Sequence, residues 1–251
     1  MDPETLAIWR QRCLEWQERD LKGALASFTF VADVTTLSSD CCFVGDTETL
    51  VVRYDGLPFA AIAFCGDDPA RVAALTRQLL SPDQAFYCLV GEEQWPSLQA
   101  AYRVLETDEE WQMLFQGNPD ALDPGGATPL QESDLPEMAA LAEREGMMAF
   151  EHDPLAQGPW YGVWSDSAQL VAQGGTHLAL SRAVEIGNIV TAREHRRRGY
   201  ASQVVSALVR ALCAQRMVFL QVFKTNKAAI ACYERLGFET VRAMVLTKCQ
   251  V

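Results

Sequence analysis

"RRRGYA", residues 196–201, is the densest block of positive charge in a sequence that is acidic overall. It follows "VEIGNIV" (184–190), an apolar stretch typical of a strand, and it leads into "YASQVVSALVRALCAQ" (200–215). That segment has apolar residues at positions 204, 205, 208, 209 and 212, the spacing of one helix face. The first N–H groups of a helix lack partners and the helix dipole is positive there, so such a connector can bind an anion.

Two features make a pyrophosphate the favoured anion at this connector. Gly199 allows the main chain to bend and approach a ligand closely, and the small Ala201 does not block it. The guanidinium groups of residues 196–198 add positive charge nearby. Neither a phosphate-binding G-x-x-x-x-G-K-[ST] loop nor a dinucleotide-binding G-x-G-x-x-G motif is present. The alternative is a solvated basic turn without a ligand.

The charge is divided unevenly between the two halves of the chain. The net charge is −12, and residues 1–127 contain 8 Lys and Arg against 21 Asp and Glu. Residues 128–251 contain 13 Lys and Arg against 12 Asp and Glu. The acidic first half argues against nucleic acid or an anionic membrane as a partner, whereas the second half can accept an anionic ligand.

The composition is that of an ordinary globular protein, with 49% hydrophobic and 22% charged residues among 251. No apolar stretch approaches the roughly 20 residues that span a bilayer, and the N-terminus lacks a signal-like apolar segment. Eight cysteines lie mostly in apolar runs without C-x-x-C pairs, and only three histidines accompany them. We therefore expect buried, reduced thiols, no metal site and a cytoplasmic location.

The chain divides into two halves at "QGNPDALDPGGATP" (116–129), which is typical of a linker. After it, the pattern predicts a short strand, a helix in "ESDLPEMAALAEREG", three strands, the helix after "RRRGYA", the strand "MVFLQVF", a helix in "NKAAIACYERLG" and one or two final strands. Before it, "TLVVRY", "PFAAIAF", "DPARVAALTRQLL", "AFYCLV", "EEQWPSLQAAYRVL" and "EWQMLF" predict a similar order. The strand–helix–strand–helix–strand order in both halves indicates an internal duplication.

Two motifs resemble those of the GNAT superfamily of N-acetyltransferases. "RRRGYA" matches its R/Q-x-x-G-x-G/A signature, and "VFKTNKAAIACYERLGF" (222–238) is similar to its second signature. The resemblance covers residues 128–251 and is strongest to the two-lobed branch that includes glycine N-acyltransferase-like proteins. It implies an α/β GNAT fold, a central mixed sheet flanked by helices. Residues 128–251 would be the catalytic domain, and residues 1–120 would be a degenerate GNAT-like domain.

The resemblance also implies how acetyl-CoA, the co-substrate, would be bound. Backbone amides of the connector would hold the pyrophosphate, the strand before it would pair with the pantetheine arm, and an amide of Val190 would contact the thioester oxygen. The residues implied are Ile189, Val190, Thr191, Arg196, Arg197, Arg198, Gly199, Tyr200, Ala201, Ser202 and Asn226. The sequence departs from the family at Ala192, where relatives commonly have proline, and we expect a slightly looser turn there.

Two side chains are candidates for the proton transfers. Glu185 lies in an apolar strand, where desolvation suits a carboxylate to accept a proton directly or through water; a half-exposed strand residue is the alternative. Tyr233 lies seven residues after Asn226, on the same helix face, and matches the acid of the family. The alternative for Tyr233 is an aromatic residue packed in the core.

These observations predict an N-acetyltransferase that moves an acetyl group from acetyl-CoA to a primary amine of a small molecule or peptide. Direct attack in a ternary complex is expected, without a metal, and a homodimer is allowed. The alternatives are a longer-chain acyl-CoA:amino acid N-acyltransferase, a non-catalytic acyl-CoA-binding regulatory protein, and a structural protein without a cofactor. The sequence places three aromatic residues either at the acceptor pocket or in the core: Trp160, Tyr161 and Trp164. Glu151 and His152 are candidate contacts of the amine, and His195 is predicted at the surface.

Overall fold

The structure is a computed structural model that describes residues 1–147, 150 and 153–251 of the chain. The helices are α1 (Pro3–Arg19), α2 (Leu21–Ala24), α3 (Phe28–Thr35), α4 (Pro69–Thr76), α5 (Trp95–Ala101), α6 (Leu135–Arg144), α7 (Tyr200–Leu212) and α8 (Lys227–Arg235). The strands are β1 (Cys41–Gly45), β2 (Leu50–Tyr54), β3 (Ala61–Cys65), β4 (Phe86–Gly91), β5 (Arg103–Phe115), β6 (Thr128–Pro129), β7 (Trp160–Trp164), β8 (Leu170–Ala179), β9 (Ala183–Thr191), β10 (Met217–Phe223) and β11 (Phe238–Gln250).

The elements predicted after residue 127 are all present and in the predicted order. The stretches "AVEIGNIVT" and "MVFLQVF" coincide with β9 and β10, and "FETVRAMVLTKC" lies within one long strand, β11. The apolar positions predicted for α7 are all buried, which confirms the face assigned to that helix. The 3.6-residue period identifies the helices because each of them buries one face against a sheet.

The predicted duplication of element order is confirmed. The N-terminal half has the order β3–α4–β4–α5–β5, and the C-terminal half has β9–α7–β10–α8–β11. The first two strands of each order pair in parallel: β3 with β4, and β9 with β10. The sequence patterns did not predict α1, α2, α3 or β1.

Contacts between Cα atoms divide the chain into two compact units. The first unit comprises Met1–Trp111 together with Arg242–Val251, and the second comprises Gln112–Val241. The boundaries 1–120 and 128–251 were predicted for the duplicated halves of the sequence and stay a prediction. The units differ from those halves because the end of β11 pairs with β4, from Met244 with Gly91 to Cys249 with Phe86.

In the second unit, β6 to β10 form a mixed sheet in the order β10–β9–β8–β7–β6. Only β10 and β9 are parallel, and the other neighbours are antiparallel. Consecutive residues of β8 contact helices on opposite faces: the Gln173 side chain donates to the Met138 carbonyl of α6 at 3.1 Å, and Gly174 lies against Val204 of α7. The sheet is therefore flanked by helices, as the predicted fold class requires.

In the first unit, β1 to β4 follow one another in the sheet, and the end of β11 adds beside β4. The core beneath α4 and α5 includes Val72, Phe86 and Leu98, each at most 1% exposed. The Tyr102 ring packs edge-on against Phe86 in the same cluster, and its hydroxyl lies 2.7 Å from Thr76 Oγ1. This half therefore has a closed apolar core of its own.

Several expectations from composition can be compared with the structure. All eight cysteines are free, but only Cys13, Cys88 and Cys249 are fully buried, and Cys42 is exposed, so the expectation of buried thiols holds for some of them only. Over the described residues, no helix is long and apolar enough to cross a membrane. No group of three or more potential metal ligands is found among those residues.

Candidate active site

The N-terminus of α7 presents a row of main-chain donors. Gly199 is its N-cap, with a left-handed φ of 82°, and no side chain caps the helix. The first helical bond runs from the Gln203 N–H to the Gly199 carbonyl at 3.0 Å. Within the described chain, the N–H groups of residues 197–202 have no acceptor. Arg197 is also left-handed, at φ 62°, and such turns of successive N–H groups form a concave anion site.

The three arginines of the connector have different surroundings. Arg196 donates from Nε to the Thr191 carbonyl at 3.0 Å and from its terminal nitrogen to Glu145 Oε2 at 2.7 Å. Glu145 also accepts the Arg193 N–H at 3.1 Å, and its side chain is only 6% exposed. Arg197 and Arg198 are exposed, and neither makes an ion pair with a described residue. Arg196 thus fixes the connector, while its two neighbours leave their charge available.

The strands β9 and β10 separate along their length. Their parallel pairing comprises Ala183 with Met217, Val184 with Val218 and Glu185 with Phe219, and it stops there. Both strands continue further, to Thr191 and Phe223. The main-chain groups of β9 after Glu185 that face β10 are therefore outside the ladder, as the predicted pairing with a pantetheine arm requires.

The register of β9 against β8 decides which amides face this gap. The Ala192 N–H donates to the Val171 carbonyl at 2.9 Å. Two residues earlier in β9, Val190 pairs with Gln173 of β8. Hydrogen-bonded and non-hydrogen-bonded pairs alternate in an antiparallel ladder, so the Val190 amide faces β8 and the Thr191 main chain faces away from it. This register favours Thr191 over Val190 as a donor to a ligand in the gap.

The same bond corrects the expectation for Ala192. The residue is completely buried, and its N–H, which proline would lack, bonds to Val171. Its carbonyl also accepts the His195 N–H at 2.8 Å. Alanine therefore ties the turn to β8 at this position, and the looser turn expected from the sequence is not what the structure shows.

Buried polar atoms without partners lie on both separating strands. They are Nδ2 of Asn188 and Oγ1 of Thr191 on β9, and both amide atoms of Gln221 on β10. Asn188 has a left-handed φ of 54°, at the point where β9 carries an extra residue opposite Gly174. Unsatisfied buried polar atoms are costly unless a ligand or water satisfies them. Together with the free amides of α7, they fit an acyl-CoA, whose diphosphate and pantetheine amides need such partners.

Glu185 lies at the last pair of β9 with β10 and is 3% exposed. Its Oε2 is 3.0 Å from Nδ1 of His177 on β8. His177 is an extra residue in β8, because Thr176 pairs with Ile186 and Leu178 pairs with Glu185. The predicted base is thus a buried carboxylate whose partner is an imidazole.

Asn226 is the N-cap of α8, the helix that carries Tyr233. The Asn226 side chain caps the helix by accepting the Ala229 N–H at 3.2 Å. Tyr233 is 8% exposed, and its hydroxyl has no hydrogen-bond partner among the described residues. Burial raises the pKa of Tyr233 above its ordinary value, and the neighbouring Cys232 thiol adds to the rise. Cys232 Sγ lies 3.2 Å from Ser202 Oγ, which brings α8 beside the first turn of α7.

The residues predicted for the acceptor pocket, the core and the turn before α7 differ in how deeply they are buried. Trp160 is 1% exposed, and its indole donates to the Pro154 carbonyl, so it belongs to the core. Tyr161 and Trp164 are half-buried. His195 is half-buried too, with its Nδ1 atom buried, so the predicted surface position holds only for part of the ring. Glu151 and His152 lie outside the described residues.

Sequence reasoning missed two residues of this region, Glu145 and His177. No sequence signal connects Glu145 with Arg196, because they meet only through the packing of α6 against the connector. No sequence signal marks His177 either, because the hairpin register pairs Leu178 with Glu185, and His177 meets the carboxylate only through the extra residue in β8.

Comparison with known proteins agrees with this geometry. Residues 127–238 match the model of the Acetyltransferase (GNAT) family. Among curated proteins, none is significantly similar to this chain in sequence.

Solved structures share the fold over nearly the whole chain. A protein of Novosphingobium aromaticivorans assigned to the GNAT acetyltransferases superposes with a TM-score of 0.70 at 24% identity, covering 89% of this chain and 96% of that one. A tandem GNAT protein from the clavulanic acid biosynthesis pathway gives 0.68 at 15% identity, covering 99% and 95%. A GCN5-related N-acetyltransferase from Kribbella flavida gives 0.64 at 14% identity, covering 90% and 95%.

The tandem neighbour has the two-half architecture over the length of this chain, which confirms the predicted fold class. The family transfers acyl groups from acyl-CoA to amines. Residues 127–238 are therefore a domain of the GNAT acetyltransferase family, and the half that precedes it has a GNAT-like fold.

Proposed function

We propose that this protein is an N-acetyltransferase that transfers the acetyl group of acetyl-CoA to a primary amine of a small molecule or peptide. The observation that carries the proposal is the uncapped N-terminus of α7, whose amides at residues 197–202 have no acceptor among the described residues. It opens beside the separation of β9 and β10, because Thr191 is joined to Arg196 of the connector.

The residues of the second unit would hold acetyl-CoA as follows. Amides from Arg197 to Ser202 bind the diphosphate, and Arg198 adds charge. Ile189 to Thr191 offer main-chain groups to the pantetheine arm. The Nδ2 group of Asn226 donates to the cofactor, since the Oδ1 atom caps α8. Acetyl-CoA supplies the activated acyl group.

Two side chains handle the protons. Glu185 receives the proton that the attacking amine loses, directly or through an intermediate group. Tyr233 donates its hydroxyl proton towards the leaving sulfur. The raised pKa of Tyr233 keeps the phenol protonated throughout the neutral range, so the donor is present when needed.

Direct attack on the thioester is favoured over an acyl-cysteine intermediate. The contact of Cys232 is the hydroxyl of Ser202, which is not a base. The thiol of Cys213, at the C-cap of α7, has no hydrogen-bond partner among the described residues. A cysteine nucleophile needs an adjacent base, and neither thiol contacts one among the described residues.

The remaining assignments follow from charge and are part of the same proposal. The acidic first half and a net charge of −12 disfavour nucleic acid and anionic membranes as partners. The free thiols, in place of charge, lead us to put the enzyme in the cytoplasm, where acetyl-CoA is also present, and the proposal allows a homodimer.

The test is a screen for CoA release with polyamines, amino acids, aminoglycosides and peptide N-termini. It is run with acetyl-CoA and with longer acyl-CoAs, beside Glu185→Gln. We expect amine-dependent release that is fastest with acetyl-CoA and at least about 100-fold slower in the variant. Faster release with longer chains would replace acetyl transfer by longer-chain acyl transfer, and CoA binding without release with any amine would make the protein a sensor of acyl-CoA.

A further inference from the structure

The side-chain amide of Gln221, on β10, is buried and unpartnered at both of its polar atoms. Neither Oε1 nor Nε2 has a hydrogen-bond partner within the described part of the chain, although the residue as a whole is only half-buried. A buried amide without partners is costly unless a ligand or water satisfies it. Gln221 follows the last pair of the two strands, Phe219 with Glu185, so it lies where β10 has left β9.

The strand register places Gln221 on the same face of the sheet as Glu185. Paired residues of neighbouring strands project to one face, so Phe219 shares the face of Glu185. Side chains alternate along a strand, and Gln221 therefore returns to that face two residues later. With a rise of about 3.3 Å per residue, the Gln221 backbone lies roughly 7 Å further along the gap than the Phe219–Glu185 pair. One small molecule in the gap can reach both side chains.

This face is covered by α6, and α7 covers the other. Gly187, two residues after Glu185, pairs with Gly175 of β8. A Cβ atom on Gly175 would meet Trp160, which belongs to the core beneath α6. The helix α7, whose N-terminus would bind the diphosphate, lies against the opposite face at Gly174. The side of the gap that carries the Gln221 amide is therefore left to the acceptor, because the cofactor would enter past α7.

The chemistry of the free amide selects the group that it binds. Gln221 offers an acceptor oxygen and an N–H donor side by side in a neutral group. A carboxamide, or one residue of an extended peptide, presents a carbonyl and an N–H side by side and satisfies both atoms at once. An alkylammonium offers donors alone, and a carboxylate or an ester offers acceptors alone. Each of these would leave one buried atom of Gln221 without a partner, which a binding site penalises strongly.

We propose that Gln221 determines acceptor specificity and that the acceptor is an α-amino amide, either an amino acid amide or the start of a peptide. This inference rests on the proposed function and narrows its acceptor class. In such a molecule the amine and the amide are attached to the same carbon atom, so the amine stays near Glu185 while the amide is bound. The amine nitrogen bonds to the acyl carbon, and the C–S bond breaks with its electron pair on sulfur. The nitrogen's proton passes towards Glu185, and Tyr233 protonates the sulfur.

The kinetic test compares the amides of glycine, leucine and lysine with the methyl esters of the same amino acids. Each pair matches in size and has amines of similar basicity, but the ester lacks the N–H. We expect kcat/KM to be at least about tenfold higher for the amide in wild type, through KM, and the preference to vanish in Gln221→Leu. The matched control is Gln215→Leu, at an exposed glutamine before β10, which should keep the preference.

CoA binding and stability separate acceptor recognition from other roles of Gln221. In Gln221→Leu we expect the affinity for CoA to stay within about twofold of wild type. Because the amide lacks a partner in the free protein, the urea midpoint of unfolding should be unchanged or higher. A preference for the amide that survives in Gln221→Leu would overturn the inference. A loss of CoA affinity as large as the loss for the amide would also overturn it, since Gln221 would then serve the cofactor.

A binding measurement does not depend on turnover. Calorimetry should detect the amide binding to the CoA-loaded wild-type protein, with binding at least about tenfold weaker in Gln221→Leu. Equal binding to both proteins would overturn the inference even if amines are acetylated. If wild type releases no CoA with any amine, the proposed function fails. Release with other amines, but with no preference for amides over esters, would overturn this inference alone.

Discussion

The connector from β3 to α4 and the connector from β9 to α7 occupy the same place in the two duplicated halves, but their helix N-termini differ in chemistry. α4 begins at Pro69, which has no N–H, and the Asp68 carboxylate accepts the N–H groups of Ala70 and Arg71 at 2.9 and 3.3 Å. α7 begins after Gly199 with no cap at all. One helix end is neutralised by its own side chain, and the other is left open for an anion.

The tyrosines near the ends of the following helices differ in the same way. Tyr102 follows α5, and its hydroxyl is bonded to Thr76 in the core of the first unit. Tyr233 of α8 has no such partner among the described residues. In the first half these donors and acceptors satisfy one another, whereas in the second they remain available to a ligand. Under the proposed function, this contrast lets one copy serve as a scaffold while the other binds acyl-CoA.

Transferring the cap of α4 to α7 should have the largest effect. In Gly199→Asp a carboxylate would occupy the amides and repel the diphosphate, and losing two charge-assisted bonds of about 1.5–3 kcal/mol each weakens CoA binding at least about 100-fold. Calorimetry with CoA measures this change. Gly199→Asn is the matched control of similar shape without charge, and it should lose less. A folded Gly199→Asp protein with wild-type affinity would show that the amides do not bind the cofactor.

Removing the two tyrosine hydroxyls should separate catalysis from stability. Tyr233→Phe should lower kcat about 100-fold because the leaving sulfur loses its proton donor, with little change in stability. Tyr102→Phe should leave kcat unchanged and lower the free energy of unfolding by about 1 kcal/mol, because Thr76 loses a partner. Steady-state kinetics and urea unfolding distinguish the two. Equal effects of both variants on kcat would contradict a role for Tyr233 in the reaction.

The raised pKa of Tyr233 also predicts that the free energy of unfolding depends differently on pH in wild type and in Tyr233→Phe. Its folded pKa is above the ordinary value, so its stabilising contribution is complete below about pH 10 and is lost as the pH rises further. Wild type should therefore lose unfolding free energy above that pH more steeply than Tyr233→Phe. Parallel stability curves for the two proteins in alkaline urea titrations would contradict the burial of this phenol.

Loosening the connector of the second half should have an intermediate effect. Glu145→Gln removes the carboxylate that holds Arg196 and the Arg193 amide, an anchor that contributes roughly 1–2 kcal/mol to the order of the loop. We expect about tenfold weaker CoA binding, from a faster dissociation rate. Tighter binding would instead mean that Glu145 withholds Arg196 from the cofactor.

The cap of the first half should matter for stability alone. Asp68→Ala should lower the free energy of unfolding by about 1 kcal/mol, the usual contribution of an N-cap, and leave CoA affinity unchanged. Thermal or urea unfolding measures the first, and calorimetry the second. A change in CoA affinity here would show that the first half takes part in cofactor binding.

The smallest expected effect concerns the exposed arginines. Arg197→Gln or Arg198→Gln should weaken CoA binding about threefold each, since exposed charges contribute up to about 1 kcal/mol, and the loss should shrink at high salt. Titrations at two salt concentrations test this. A salt-independent loss would indicate a fixed hydrogen bond in place of a general attraction.

Much of the second half could be predicted because its signals are local. The period of α7 and the apolar runs of β9 and β10 identified the elements, and "RRRGYA" located the helix end. The bulges at Asn188 and His177 could not be predicted, because an extra residue in a strand changes no local pattern and shows only in the pairing with its neighbour. The direction of the Val190 amide depends on that same pairing.

By itself the sequence determined the helices and strands from β2 onwards, that two copies of one order follow each other, and that a glycine among positive charges precedes α7. These depend on residue type and spacing along the chain. Only the tertiary structure decided that Arg196 is held by Glu145, that β9 leaves β10 after Glu185, and that His177 stands beside the buried carboxylate. Such contacts join residues distant in sequence, and strand register and packing fix them, not the preferences of any single residue.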